Sequence, residues 1–246
     1  MAGLLFLCLH LLLRYGMARM RTSQTNVHRM QAAWVHESGK RLCRYLRIEL
    51  APALGRPWPE GLVICNHISY LDILVIAAHF PCAFVSKAEV RHWPLFGWLA
   101  QAGGSLFLKR ESRTATRDVA RLMHQRLERG DRLVVFPEGT SSDGSSVLPF
   151  RTALFAAALE ARATVVPAAL YYEIQGGSIA EEVAYWGEMT LLPHLCRLLR
   201  HRGLQARLTW GEPLEEIKER KTLAAAAHAR VVALHKGLLT KDTTLV

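Results

Sequence analysis

The segment Cys65-Asn66-His67-Ile68-Ser69-Tyr70-Leu71-Asp72 sets an imidazole and a carboxylate five positions apart. An imidazole steadied by a carboxylate can take up a proton near neutral pH, because its ordinary pKa is about 6.5. Apolar runs flank the pair. Leu62-Val63-Ile64-Cys65 reads as a short buried strand, and Ile73 to Ala78 reads as the body of a helix. Ser69 is the expected N-cap, which would put Asp72 at the third helical position and His67 on the connecting loop. A simpler reading makes Ser69 and Asp72 a capping box and His67 a loop residue.

A second segment adds weight to the chemical reading. Leu133-Val134-Val135-Phe136 is another buried-strand run, followed by Pro137-Glu138-Gly139-Thr140-Ser141-Ser142. Proline stops the strand and glycine permits a tight turn, so Glu138 is expected at a strand's carboxyl end. Open α/β sheets bind ligands at that edge. Between these segments, Gly104-Ser105-Leu106-Phe107-Leu108-Lys109-Arg110 is strand-like and ends in two cations. A further apolar run, Val165-Val166-Pro167-Ala168-Ala169-Leu170, follows.

Taken in order from Gly61 to Leu170, these blocks resemble the motifs of the glycerolipid acyltransferase family, and look most like bacterial 1-acylglycerol-3-phosphate acyltransferases. The resemblance implies that His67 is a general base and Asp72 its orienter. The acceptor hydroxyl would then attack the thioester of acyl-CoA or acyl carrier protein directly, without an acyl-enzyme. Backbone N–H groups at the helix start after His67 are expected to help hold the developing oxyanion. Arg110, in the block opened by Gly104, would meet the acceptor's phosphate, for which a guanidinium fork is well shaped. Read alone, Arg110 is an exposed strand-end charge. Glu138 and Gly139 map onto the acceptor-binding block, and Lys87 and Lys109 are further cationic candidates. Arg151 is expected to open a helix, where a cation opposes the dipole and favours a nearby anion. No cofactor is implied.

Two departures bear on the acceptor. Many phosphatidate-forming members carry an arginine after Glu-Gly-Thr, where this chain has Ser141. The stretch from Tyr185 to His194 resembles members that acylate lyso-ornithine lipid. The expected acceptor is 1-acylglycerol-3-phosphate, a step in phospholipid biosynthesis, with lyso-ornithine lipid as the alternative.

The elements that must position these residues alternate along the chain. Strands are expected at 62–65, 83–86, 105–108, 133–136, 164–170 and 206–210. Helices are expected near 70–79, 119–127, 151–161, 190–201 and 221–239. Such alternation predicts an α/β fold, a largely parallel sheet flanked by helices. Pro52, Gly55, Pro57, Pro59 and Gly61 form a breaker-rich linker. It divides an N-terminal membrane-associated helical segment, 1–50, from a catalytic domain, 51–246. Leu4 to Leu13 is apolar but short of the about 20 residues a span requires, so it is expected to dip into one leaflet. From Ala32 to Leu50, Trp34, Leu42, Tyr45 and Leu46 interleave with Lys40, Arg41, Arg44 and Arg47 as a basic amphipathic helix.

The 246 residues are half hydrophobic and carry a formal charge of +10, unlike a disordered chain and in keeping with an anionic partner. Cations beside apolar segments, with no nucleic-acid motif, point to a membrane surface and not to nucleic acid. The five cysteines are dispersed with no Cys-x-x-Cys pair, which suits a reducing compartment. The expected place is a bacterial inner membrane, with the catalytic part on the cytoplasmic side. The eleven histidines show no metal-ligand spacing. Two other classes compete. A serine hydrolase would use the serines after Gly139, but they lack the Gly-x-Ser-x-Gly elbow. A non-catalytic membrane-binding protein would leave His67 and Asp72 without a role.

Overall fold

Runs of aliphatic and β-branched residues without alternation suit strands covered on both faces, as in parallel sheets. The computed structural model describes residues 2–55, 60–108, 113–201 and 203–240. In it, β2 (Gly61–Cys65) is buried along its whole length and lies beside β5 (Arg132–Val135) near the middle of a seven-stranded sheet. The other strands are β1 (Ile48–Leu50), β3 (Ala83–Lys87), β4 (Leu106–Leu108), β6 (Val165–Ile174) and β7 (Leu204–Trp210). Their spatial order is β1-β7-β6-β2-β5-β3-β4, and among the described residues the pairings are parallel except that of β6 with β7. Parallel register carries the ends of β2 and β5 to the same edge. The chain leaving each strand there places His67 next to Glu138.

Side-chain alternation sends Val63 and Cys65 to one face of the sheet, and Leu62 and Ile64 to the other. The first face is covered by α1 (Ala2–Met20), α2 (Val27–Tyr45), α3 (Leu71–His79), α4 (Phe96–Ala102) and α7 (Leu191–Leu198). The second is covered by α5 (Arg113–Glu128), α6 (Phe155–Glu160) and α8 (Arg220–Thr240). The largely parallel α/β architecture expected from the alternation is the one observed. Helices α1 and α2 are built into the same core as the sheet, through Leu4, Cys8, Leu11, Leu42 and Cys43.

Several boundaries differ from the sequence reading. The basic helix stops at Tyr45, and Arg47 adopts a left-handed φ of 57°, which ends the helical run. Ile48 to Leu50, expected to be helical, pairs instead with β7 as an edge strand. The helix expected from Arg151 begins only at Phe155, because the Arg151 backbone N–H donates to the Pro137 carbonyl at 2.8 Å and pins the chain before the turn. Arg151 therefore opens no helix, and the dipole argument for an anion there falls. Finally, α1 extends past Leu13 to Met20, which makes it long and apolar enough to cross a bilayer by length and composition.

One stripe of α1 is buried, and Trp34 Nε1 donates to the Leu11 carbonyl at 3.0 Å. The opposite face is open: Phe6 is 74% exposed, Leu13 68% and Met20 82%. Helices α2 and α3 cross closely at Gly39, where an added Cβ would lie 2.8 Å from the Ala78 nitrogen and 2.9 Å from the Leu74 oxygen. That crossing forms the back of the cavity that opens at the His67 edge of the sheet.

Candidate active site

A carboxylate removed from water must be met by donors, or its burial is prohibitively costly. Asp72 is fully buried and is met at both oxygens. Oδ2 accepts from His67 Nδ1 at 2.7 Å, Ile68 N at 2.7 Å and Ser69 N at 3.0 Å. Oδ1 accepts from the Tyr172 hydroxyl at 2.8 Å. The carboxylate has no proton to give in this arrangement, so Nδ1 of a neutral His67 carries the hydrogen and Nε2 keeps the lone pair. The imidazole stacks on Phe136, with ring centroids 4.2 Å apart, and lines the cavity.

This wiring corrects one expectation and narrows another. Helix α3 starts at Leu71 with Tyr70 in the cap position, and Ser69 makes no side-chain cap; its buried hydroxyl has no partner among the described residues. Asp72 caps its own helix by reaching back to two N–H groups. Those N–H groups, Ile68 and Ser69, are consequently occupied and are not free to hold an oxyanion.

The loop around His67 is held from several sides. The Asn66 amide bridges both backbone groups of Leu170, at 2.9 and 2.8 Å, where β2 leaves the sheet beside β6. The His67 N–H donates to Glu138 Oε1 at 2.8 Å, and its carbonyl accepts from Ser142 N at 2.8 Å. Glu138 Oε2 accepts from Leu148 N at 3.0 Å. Burial pushes the Glu138 carboxyl up to about 8, opposed by the two N–H donors and reinforced by the nearby Asp72 charge. With both oxygens taken by backbone groups and only 4% exposure, Glu138 supports the His67 loop from below. Gly139 follows with a left-handed φ of 78°, and the turn from Gly139 to Ser141 lines the cavity. The Ser141 hydroxyl donates to the Tyr185 carbonyl, and the Ser142 hydroxyl to the His67 carbonyl at 3.3 Å. Neither serine is paired with a base, as a hydrolase nucleophile would be.

The cavity has a volume of about 210 Å³ and runs from His67 between α2 and α3. Its deep walls are aliphatic, with Leu42, Leu74, Ala77 and Leu99, and Lys87 lines it at the exposed end of β3. Gly104 does not itself line the cavity. It turns the chain from α4 into β4 at a φ of 70°, and a Cβ there would come within 2.5 Å of Gln31 Oε1. Arg151 is exposed on the stretch before α6 and does not line the cavity. Arg110 and Lys109 lie outside the described residues. Among the described residues, no cluster of potential metal ligands is present. The sequence reading assigned nothing to Asn66 or Tyr172, and considered Ser142 only as a hydrolase nucleophile. Asn66 at the end of an apolar strand was a usable signal; Tyr172 carried none, since it meets Asp72 across 100 residues.

Comparisons with known proteins bear on the family and the fold. Residues 53–171 match a family model described as Acyltransferase. A lyso-ornithine lipid O-acyltransferase of Pseudomonas aeruginosa is 41% identical over 71% of this chain and 67% of its own. A 1-acyl-sn-glycerol-3-phosphate acyltransferase of Neisseria meningitidis is 34% identical over 65% and 64%. The crystal structure of a 1-acyl-sn-glycerophosphate acyltransferase from Thermotoga maritima shares the fold, with a TM-score of 0.68 at 20% identity over 95% of both chains.

Removing one donor from a buried carboxylate should register as lost stability. Tyr172→Phe leaves Asp72 Oδ1 without its hydroxyl and should cost about 1.5–3 kcal/mol, a typical value for hydrogen bonds to charged groups. Denaturant unfolding at neutral pH reads this directly. An unchanged midpoint would mean that the hydroxyl does not serve Asp72.

Proposed function

The chain belongs to the acyltransferase family that includes 1-acylglycerol-3-phosphate and lyso-ornithine lipid acyltransferases, and on that premise we propose that it acylates the free hydroxyl of a membrane-held lysolipid, with lyso-ornithine lipid favoured as the acceptor. The observation that carries the reading is His67, whose Nδ1 is committed to Asp72 while its ring lines an apolar cavity. His67 Nε2 takes the proton of the acceptor hydroxyl as its oxygen attacks the carbonyl carbon of the acyl thioester. The tetrahedral intermediate collapses with loss of the thiolate, which recovers that proton from the imidazolium. Asp72 stabilises the transient imidazolium and keeps the ring oriented. The aliphatic walls at Leu42, Leu74 and Leu99 suit an acyl chain and keep water from the thioester. Acyl-CoA or acyl carrier protein serves as donor. In this reading Glu138 acts on the His67 backbone and not on the acceptor.

Two observations favour the ornithine acceptor over the phosphate acceptor expected from the sequence. Ser141 stands where a phosphate-binding arginine would be, with its hydroxyl turned to the Tyr185 carbonyl. The relatives named as lyso-ornithine lipid acyltransferases in Pseudomonas aeruginosa and Rhodobacter capsulatus are 41% and 39% identical, against 34% for the Neisseria meningitidis phosphate-acceptor enzyme. Lys87 at the cavity keeps 1-acylglycerol-3-phosphate as the second reading. The open face of α1 would enter one leaflet of a bacterial inner membrane, with the catalytic part on the cytoplasmic side, making residues 1–50 the membrane-associated part of the protein.

Offering each lysolipid separately with each donor, and identifying products by mass spectrometry, tests the acceptor. Diacylated ornithine lipid should dominate; product from 1-acylglycerol-3-phosphate alone would reverse the choice. His67→Ala should lower turnover by about two to four orders of magnitude in a folded protein. Glu138→Ala should lower kcat while leaving the acceptor KM near its original value. A raised KM with intact kcat would return Glu138 to the acceptor site.

The membrane reading has its own check. Phe6→Asp combined with Leu13→Asp alters only the open face of α1 and should weaken sedimentation with anionic vesicles without changing the unfolding midpoint. Undiminished vesicle binding would place the membrane contact elsewhere.

A further inference from the structure

Four aromatic rings meet on the cavity wall beside the catalytic loop. Tyr70 and Tyr185 stand edge to face, with centroids 5.4 Å apart at 70°. Trp93 lies 5.8 Å from Tyr185 at 83°, and Phe96 lies 5.7 Å from Tyr70. All four line the cavity that His67 lines. Leu95, between Trp93 and Phe96, holds a left-handed φ of 62°, a conformation that is costly for a residue with a side chain. That kink lets two nearby rings face one space.

The wall is also fixed in place. The Tyr70 hydroxyl lies 3.0 Å from Nδ1 of His194, which is 1% exposed. The Tyr185 N–H donates to the Ile68 carbonyl at 2.9 Å, one residue from the base. Burial holds the His194 imidazole below its ordinary pKa, so no positive charge builds up behind the rings near neutral pH. An acyl chain asks for none of this, being served by the aliphatic walls deeper in the cavity. Four aromatic rings bordering one cavity instead make a surface suited to attract an organic cation. The described lining contains no carboxylate, so the rings are its means of attracting positive charge.

We propose that the wall formed by Tyr70, Trp93, Phe96 and Tyr185 recognises a charged amine on the acceptor's head group. The inference rests on the lysolipid acyltransferase reading above and names how the ornithine acceptor is selected. Ornithine keeps a side-chain ammonium, which a glycerol phosphate lacks. Its carboxylate suits Lys87 at the same cavity.

The experiment uses the full-length enzyme and two acceptors of identical chain, lyso-ornithine lipid and its side-chain N-acetyl derivative, which keeps the carboxylate but has an uncharged amide in place of the ammonium. Wild type should prefer the amine by about tenfold in kcat/KM, within the usual range for a partly desolvated cation on aromatic faces. Tyr185→Leu should collapse that ratio through a raised KM for the amine, whereas Tyr185→Phe should keep it. Trp93→Leu reads the same ratio at an independent ring, should the Tyr185→Leu protein fail to fold. Equal use of the two acceptors by wild type, or equal losses on both in the leucine variants, would overturn amine recognition while the lyso-ornithine assignment stands. If neither ornithine lipid is acylated but 1-acylglycerol-3-phosphate is, the acceptor reading itself fails, and the amine site with it.

Discussion

A fully buried carboxylate is the constraint on which this molecule is organised. Asp72 cannot sit charged in the core without donors, and each one it recruits fixes a different part of the fold. The N–H groups of Ile68 and Ser69 hold the turn from β2 into α3, and the Tyr172 hydroxyl ties that turn to β6. The fourth donor is the His67 ring. Satisfying the charge therefore sets the tautomer and the orientation of the base in one arrangement.

The sheet makes this possible by bringing distant segments to one edge. Parallel pairing of β2 with β5 sets Glu138 under the His67 backbone, and pairing of β2 with β6 sets Leu170 against Asn66. The chain beyond β6 returns to the same place, where Tyr185 bonds the Ile68 carbonyl and accepts from Ser141. Catalytic loop, glycine turn and aromatic wall are thereby one connected structure. A change in any of them is felt at the base through backbone hydrogen bonds, which do not yield gradually.

The central strands were legible because a strand buried on both faces must be apolar throughout, as Leu62 to Cys65 and Leu133 to Val135 are. The relation of His67 to Asp72 was legible because the two lie within one turn of chain. What escaped reading depends on contacts between remote segments. Ile48 to Leu50 alternates in a way that suits the end of a helix or an edge strand, and only β7 decides between them. Ser69 looked like a cap until Asp72 took the N–H groups such a cap would serve. Glu138 read as an acceptor-binding carboxylate at a strand's end, but its two oxygens accept from the backbone N–H groups of His67 and Leu148.

The most direct test of the account is the protonation pattern of the His67 ring. Nitrogen-15 NMR of the full-length protein, compared with His67→Gln for assignment, distinguishes the two neutral tautomers. At a pH where the ring is uncharged, the hydrogen should reside on Nδ1, with Nε2 showing the shift of an unprotonated nitrogen. Asp72→Asn should disturb that preference. A wild-type ring with its hydrogen on Nε2 would contradict the account, because the nitrogen facing the acceptor hydroxyl would have no lone pair to accept its proton.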